Sequence, residues 1–171
     1  TFPATQSRDP APAFTFSSTD AGATFECKLD GDVLGACTSP FSPGNPGEAL
    51  HTFEVTAIDH PALNRATASV SWTLDVTPPV IVATGPELLS NDTTPTVAFT
   101  VDAGVTTECT LDAGQPIACA QQFSAGPLGD AAHSITIHAT DLAGNTSDRT
   151  FQFVIDTIAP TFANVGGVTG L

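Results

Sequence analysis

Tyrosine and methionine are absent from the 171 residues, tryptophan occurs once, and lysine and arginine together number 4. Each shortage excludes something. Sugar-reading faces are commonly built on exposed aromatic planes, so one tryptophan and no tyrosine leave a glycan platform without its usual means. With 18 acidic side chains the net charge is −14 at pH 7, and such a surface repels phosphate backbones and anionic headgroups, whose capture rests on Lys and Arg. Nucleic acid is therefore not an expected partner. The longest apolar runs are a few residues, against the roughly 20 that a helical span requires, so no membrane insertion is expected within this segment. Also missing are G-x-S-x-G, H-E-x-x-H, a Gly-rich phosphate loop and G-x-G-x-x-G after a strand. No catalytic residue is expected, and the chain reads as a non-enzyme.

What is present is enough apolar material for packed cores, 41%, with 14 glycines and 14 prolines to turn the chain often. An internal repeat organises it. Sliding the sequence on itself by about 82 residues sets Cys27 on Cys109, Cys37 on Cys119, Leu29 on Leu111, Phe41 on Phe123, His51 on His133 and Asp59 on Asp141. Phe16 falls on Phe99 and Trp72 on Phe153 once one-residue shifts are allowed before Asp20 and Asp102 and within 59–64 against 141–145. Insertions confined to such loops are what a shared fold predicts.

Both halves alternate with the two-residue period of half-buried strands. His133, Ile135, Ile137 and Ala139 share one face, as do His51, Phe53, Val55 and Ala57. In the second half strands are expected near 79–84, 95–101, 105–111, 116–120, 122–125, 133–140 and 149–156, with tight turns at "LDG" 29–31 and "LDAG" 111–114. No stretch keeps helical spacing for three turns, and turn signals arrive about every 8 to 12 residues, which points to an all-β sandwich.

The runs "FECKLDGDVLGACTSPFS", "ALHTFEVTAIDHPALN" and "SWTLDVTPP", with "TECTLDAGQPIACAQQFS", "AHSITIHATDLAGN" and "FQFVIDTIAP" in the second half, resemble the bacterial Ig-like repeats of large secreted and cell-surface proteins. The resemblance covers essentially the whole chain. It implies two tandem Ig-like (fibronectin type III-like) seven-strand β-sandwiches, each with one hairpin disulfide. It also implies an extracellular or cell-surface setting in a bacterium, and a task as an extender that carries other domains, in some relatives with calcium at the joints.

Four cysteines at two equal spacings allow three pairings, and the repetition favours Cys27 with Cys37 and Cys109 with Cys119. Zinc and free thiols are the alternatives, but no histidine stands at finger-like spacing and C-x-x-C is absent. Disulfides imply an oxidising compartment. His51 and His133 open the sixth strand of each sandwich on its inner face, where related folds place a side chain that bonds back to backbone, so a structural part is expected of them ahead of metal ligation or general-base chemistry. Trp72, equivalent to Phe153, is expected in the core. Loop carboxylates and amides, among them Asp59 and Asp156, favour turns on their own account. In an Ig-like sandwich, however, Asp102, Asp141 and Asn145 face the linker that carries Asp75, and these four are the candidate ligands for Ca2+ at the inter-repeat joint.

The expected boundaries are 1–77 for the first repeat, 78–157 for the second, and 158–171 for a linker with the first strand of a following repeat. Thr1 opens into a Pro- and Ala-rich stretch with neither a basic end nor an apolar core, so a removed signal or a piece of a longer chain is expected, and the repeats favour the latter. Thr1 aligns with Thr84, so the first repeat lacks the strand that "PVIVA" at 79–83 gives the second, while "DTIAPTFANVGGVTGL" at 156–171 matches the segment ahead of the second repeat. Residues 159–167 are therefore expected to pair with the open edge of a first repeat, either in a neighbouring repeat or in an identical subunit placed head-to-tail. The alternative is a chain boundary set one strand late. The function expected is that of a structural spacer or filament-building module. An adhesive module that binds a surface glycan or protein is the alternative.

Overall fold

The computed structural model describes residues 5–60 and 62–163. Every regular element among them is a strand, as the two-residue alternation requires. By its contacts the chain divides into two compact units. One reaches Val80 and takes in Asp102–Thr106 and Ala139–Ser147; the other holds Ile81–Val101, Thr107–His138 and the chain from Asp148 on.

In the first repeat, β1 (Gln6–Ser7), β2 (Thr24–Leu29), β3 (Asp32–Cys37), β4 (Ala49–Ile58) and β5 (Arg65–Leu74) form one sheet in the order β1-β5-β4-β2-β3. The long central pair β4–β5 is antiparallel and sets His51 opposite Trp72 and Phe53 opposite Val70. The turn between β2 and β3 is a two-residue link through Asp30 and Gly31, both at positive φ. That backbone matches the twist of a hairpin and favours Asp-Gly. Among the described residues, the second layer of this sandwich shows a single bridge, Phe14 with Phe41. Pro10 and Pro12 on one side and Pro40, Pro43 and Pro46 on the other deprive these segments of amide donors, so no longer ladder forms between them among the described residues. The layers meet through Phe14, Cys27, Cys37, Phe53, Trp72 and Leu74.

The second repeat carries β6 (Ile81–Thr84), β7 (Leu89–Ser90), β8 (Thr96–Val101), β9 (Thr106–Leu111), β10 (Ile117–Ala118), β11 (Gln122–Ser124), β12 (Ala131–Thr140) and β13 (Thr146–Ile155). One sheet runs β10-β9-β12-β13-β7 and the other β11-β8-β6. Between them lie Val97, Phe99, Cys109, Ala125, Ile135, Ile137, Phe153 and Ile155. The chain thus consists of tandem Ig-like sandwiches, each with a disulfide-clasped hairpin. Two elements were not expected, β1 and β7, which join the last long strand of their repeats in parallel. Two residues are too few to show a period. In the segment 159–167, residues 159–163 form no strand, and 164–167 lie outside the described residues.

Repetition also shows where the two cores differ. Ile137 is fully buried, whereas its equivalent Val55 is only partly so. Past Val55 it is the opposite face of β4 that is covered, at Thr56 and Ile58.

Candidate functional site

Polar chemistry concentrates at two corners built alike. At the end of β2 the Asp30 amide still donates to the Thr52 carbonyl (2.9 Å), after which the chain enters the left-handed region and turns. This aims the carboxylate back along β4. One oxygen accepts the Thr52 amide (2.7 Å) and the other meets His51 Nδ1 (2.7 Å), while His51 Nε2 faces the Gly47 carbonyl (2.9 Å). In the second repeat Asp112 accepts the Ser134 amide (2.8 Å) and meets His133 Nδ1 (3.0 Å), and His133 Nε2 faces the Gly129 carbonyl (3.0 Å). Both ring nitrogens therefore look at acceptors. A neutral imidazole has only one N–H, so the arrangement is satisfied only by the imidazolium, paired with a carboxylate.

The titrations agree with that geometry. Burial pulls His51 down, but the Asp30 carboxylate and the Gly47 carbonyl outweigh it and hold the ring above the ordinary 6.5. At His133 the Asp112 hydrogen bond, then the Gly129 carbonyl, raise the ring above the same value. Burial lifts Asp30, yet the His51 and Thr52 contacts bring it below 3.8; Asp112 is lowered by His133 first and the Ser134 amide next. A raised imidazole stabilises the fold fully below its unfolded pKa and ceases to do so as pH rises through the folded one; a depressed carboxylate stabilises above its unfolded pKa and ceases to do so as pH falls through the folded one. Urea midpoints are therefore expected to be highest between the ordinary Asp and His values and to decline on both sides. Replacing Asp30 with Asn should flatten the alkaline decline of the first repeat, followed through Trp72, and cost about 2 kcal/mol near pH 6. An unchanged alkaline slope in that variant would place the ring's second proton elsewhere.

A second polar device closes the hairpin loops. Asp141 accepts the Asn145 amide (2.8 Å) and one proton of its carboxamide (2.9 Å), and Asp59 holds Asn64 in the same way (2.7 and 2.9 Å). Burial raises Asp141, but the Asn145 side chain and backbone contacts outweigh it and leave the carboxyl below its ordinary range. Asn145 is itself buried, and its remaining carboxamide proton goes to the Asp75 carbonyl (2.8 Å). Asp102 accepts the Val80 amide (3.0 Å), Ser147 donates to the Pro79 carbonyl (2.6 Å), and the Asp75 carboxylate accepts the Thr77 amide (3.1 Å). The segment 75–80 is thus held by side chains from 102, 145 and 147. Of the four candidate calcium ligands, Asp75 contributes a carbonyl toward Asn145, while the carboxylates of Asp75, Asp102 and Asp141 each accept a backbone amide. A cation there would compete with those donors. Among the described residues, no group of three or more His, Cys, Asp or Glu is placed to hold a metal ion.

Both expected disulfides are formed, Cys27–Cys37 and Cys109–Cys119, each with a sequence separation of 10. The first joins β2 to β3 within one sheet, and the second joins β9 to the residue just past β10. Trp72 is fully buried, as its equivalence to Phe153 requires.

Residues 83–157 match the bacterial Ig-like domain family. Among solved structures, the fibronectin(III)-like modules of Clostridium thermocellum CbhA align with a TM-score of 0.58 at 11% identity, over 96% of this chain and 96% of that one. The amphioxus IgVJ-C2 molecule aligns with a TM-score of 0.40 at 11% identity, over 87% of this chain and 98% of that one. No curated protein matches the chain. In this Ig-like frame the His–Asp corner tethers the start of one long strand to a neighbouring hairpin. Sequence reasoning placed the histidines but missed Asp30 and Asp112. A signal was there, since each Asp precedes its His by 21 residues in both repeats.

Proposed function

We propose that the chain is a structural spacer of an exported protein, with two Ig-like sandwiches in tandem supplying reach and stiffness at the cell surface or beyond it. The observation that carries this reading is that the polar devices of one repeat recur in the other: the hairpin disulfide, the His–Asp corner and the Asp–Asn loop clasp. A ligand site would single out one repeat, whereas devices shared by both serve the fold they share. The disulfides support an oxidising setting. In addition, no helix among the described residues is long and apolar enough to cross a membrane.

Single-molecule pulling tests the reading. Two discrete unfolding events are expected, and reduction should lengthen each by about 30 Å, because the residues between paired cysteines become extensible at about 3.4 Å each. A chain that yields gradually, without two events, contradicts a spacer. Specific capture of one glycan on an array would favour the adhesive reading instead.

A further inference from the structure

The chain leaves each repeat past a carboxylate. Strand β5 ends at Leu74, which stands opposite Ala49 as the last rung of its ladder with β4. One residue further out, Glu48 takes over from the backbone. It accepts the Val76 amide (2.6 Å) and the Thr77 hydroxyl (2.8 and 2.9 Å to its two oxygens). These contacts, led by the Thr77 hydroxyl, hold its carboxyl below the ordinary 4.5. In the second repeat Asp130 has the same place directly before β12, and it accepts the amide (3.0 Å) and the hydroxyl (2.8 Å) of Thr157, just past the end of β13.

Water competes for such exposed contacts, so they add little to stability at rest. Their placement gives them another part. Each carboxylate stands at the root of the middle strand of its sheet, since β4 lies between β5 and β2 and β12 lies between β13 and β9. The residue before it is pinned, because the Gly47 and Gly129 carbonyls face His51 Nε2 and His133 Nε2 (2.9 and 3.0 Å). The His–Asp corner thus fixes the turn from which the carboxylate reaches out. Tension leaving a repeat meets this carboxylate before it meets the terminal bonds of the last strand, from the Asp75 amide to the Ser7 carbonyl and from the Asp156 amide to the Ser90 carbonyl (both 3.0 Å). Those bonds belong to two-residue parallel pairs. The carboxylate leads instead into a ten-residue strand that is bonded on both sides.

We propose that Glu48 and Asp130 are force latches, each gripping the exit of its repeat and passing tension from the last strand to the middle one. The proposal deepens the spacer reading and rests on it, since a latch against tension matters only in a chain that is pulled.

The test is constant-force pulling of the whole chain, with Cys109 and Cys119 replaced by alanine so that the second repeat's event is recognised by about 30 Å of extra length. Glu48→Ala should shorten the first repeat's lifetime under load by more than about tenfold, as the loss of charge-assisted bonds on the load path implies, and leave the second repeat's lifetime unchanged. Thr77→Val, which removes the hydroxyl on the other side of the latch, should act in the same direction. Asp130→Ala should reverse the pattern. Unfolding of the Glu48→Ala chain in urea, followed through Trp72, should quicken by less than about threefold, as for an ordinary exposed side chain. That contrast is the readout, because forced unfolding follows the unfolding rate along the path of the pull. Two events with lifetimes indifferent to Glu48 overturn the latch and leave the spacer standing. A lifetime that falls only as far as the urea rate rises also overturns it, because the carboxylate is then an ordinary stabiliser. The absence of two events overturns the spacer reading and the latch with it.

Discussion

Replacing Phe14 with alanine is expected to destabilise the first repeat by about 4 kcal/mol, in the range found when a buried aromatic is truncated. Phe14 is fully buried, stacks on Phe53 at 4.1 Å between ring centroids, and leans on Trp72 at 5.1 Å. With Phe16 and Phe41, which also pack toward Phe53, it joins the two layers of this sandwich. Its amide donates to the Phe41 carbonyl (2.8 Å) and its carbonyl accepts the Phe41 amide (2.9 Å), the only bridge in that layer among the described residues. Both backbone bonds to Phe41 hold the Phe14 segment where it is, so little of the vacated volume can be recovered by collapse. Trp72 is the sole tryptophan of the chain, so fluorescence in urea follows this repeat alone. The midpoint should fall with an unchanged slope. The equivalent Val97→Ala change should leave the Trp72 transition where it was. A Phe14→Ala chain with the original midpoint would mean that the Phe14–Phe41 layer contributes nothing to the fold.

Much of the fold is legible in the sequence, because the repeat supplies a second witness for each position. Trp72 against Phe153 marks a core site, and cysteines recurring at one spacing name their own partners. Legibility ends where position depends on pairing across the fold. Phe14 lies outside any regular strand, and its place is fixed by an isolated bridge between two proline-rich segments. Asp30 looks like a turn residue, which it is, but its carboxylate acts on a histidine brought alongside by strand pairing. Asn145 reads as an oxygen donor for a cation. What the sequence does not show is the use of its nitrogen, which gives one proton to Asp141 and one to the Asp75 carbonyl. Among the described residues the first repeat's second layer shows one bridge, and Pro10, Pro12, Pro40, Pro43 and Pro46 limit the ladder on either side of it.

Loss of either disulfide is expected to cost its repeat about 3 kcal/mol, since each closes a loop of the same length and the unfolded chain gains the same freedom when it opens. Equal costs have unequal consequences. The first repeat, whose second layer holds one bridge among the described residues, has less to lose than the second, whose other layer is the three-stranded β11-β8-β6. Against a typical stability of about 5 to 15 kcal/mol for a whole domain, a chain with Cys27 and Cys37 replaced by alanine should unfold its first repeat at a markedly lower urea concentration, reported by Trp72. The Cys109→Ala/Cys119→Ala chain should leave that transition unchanged. The order of chemical reduction should run the other way. Exchange requires a thiolate to reach a sulfur, and Cys27 and Cys37 are both buried, while in the second repeat Cys109 is buried and Cys119 is only partly so. Brief exposure of the native chain to dithiothreitol, followed by alkylation and peptide mapping, should therefore label Cys109 and Cys119 ahead of Cys27 and Cys37. If the first repeat's cysteines are labelled earlier, its bond is being reached through unfolding of that repeat, and the folded-state accessibility of Cys119 does not set the order.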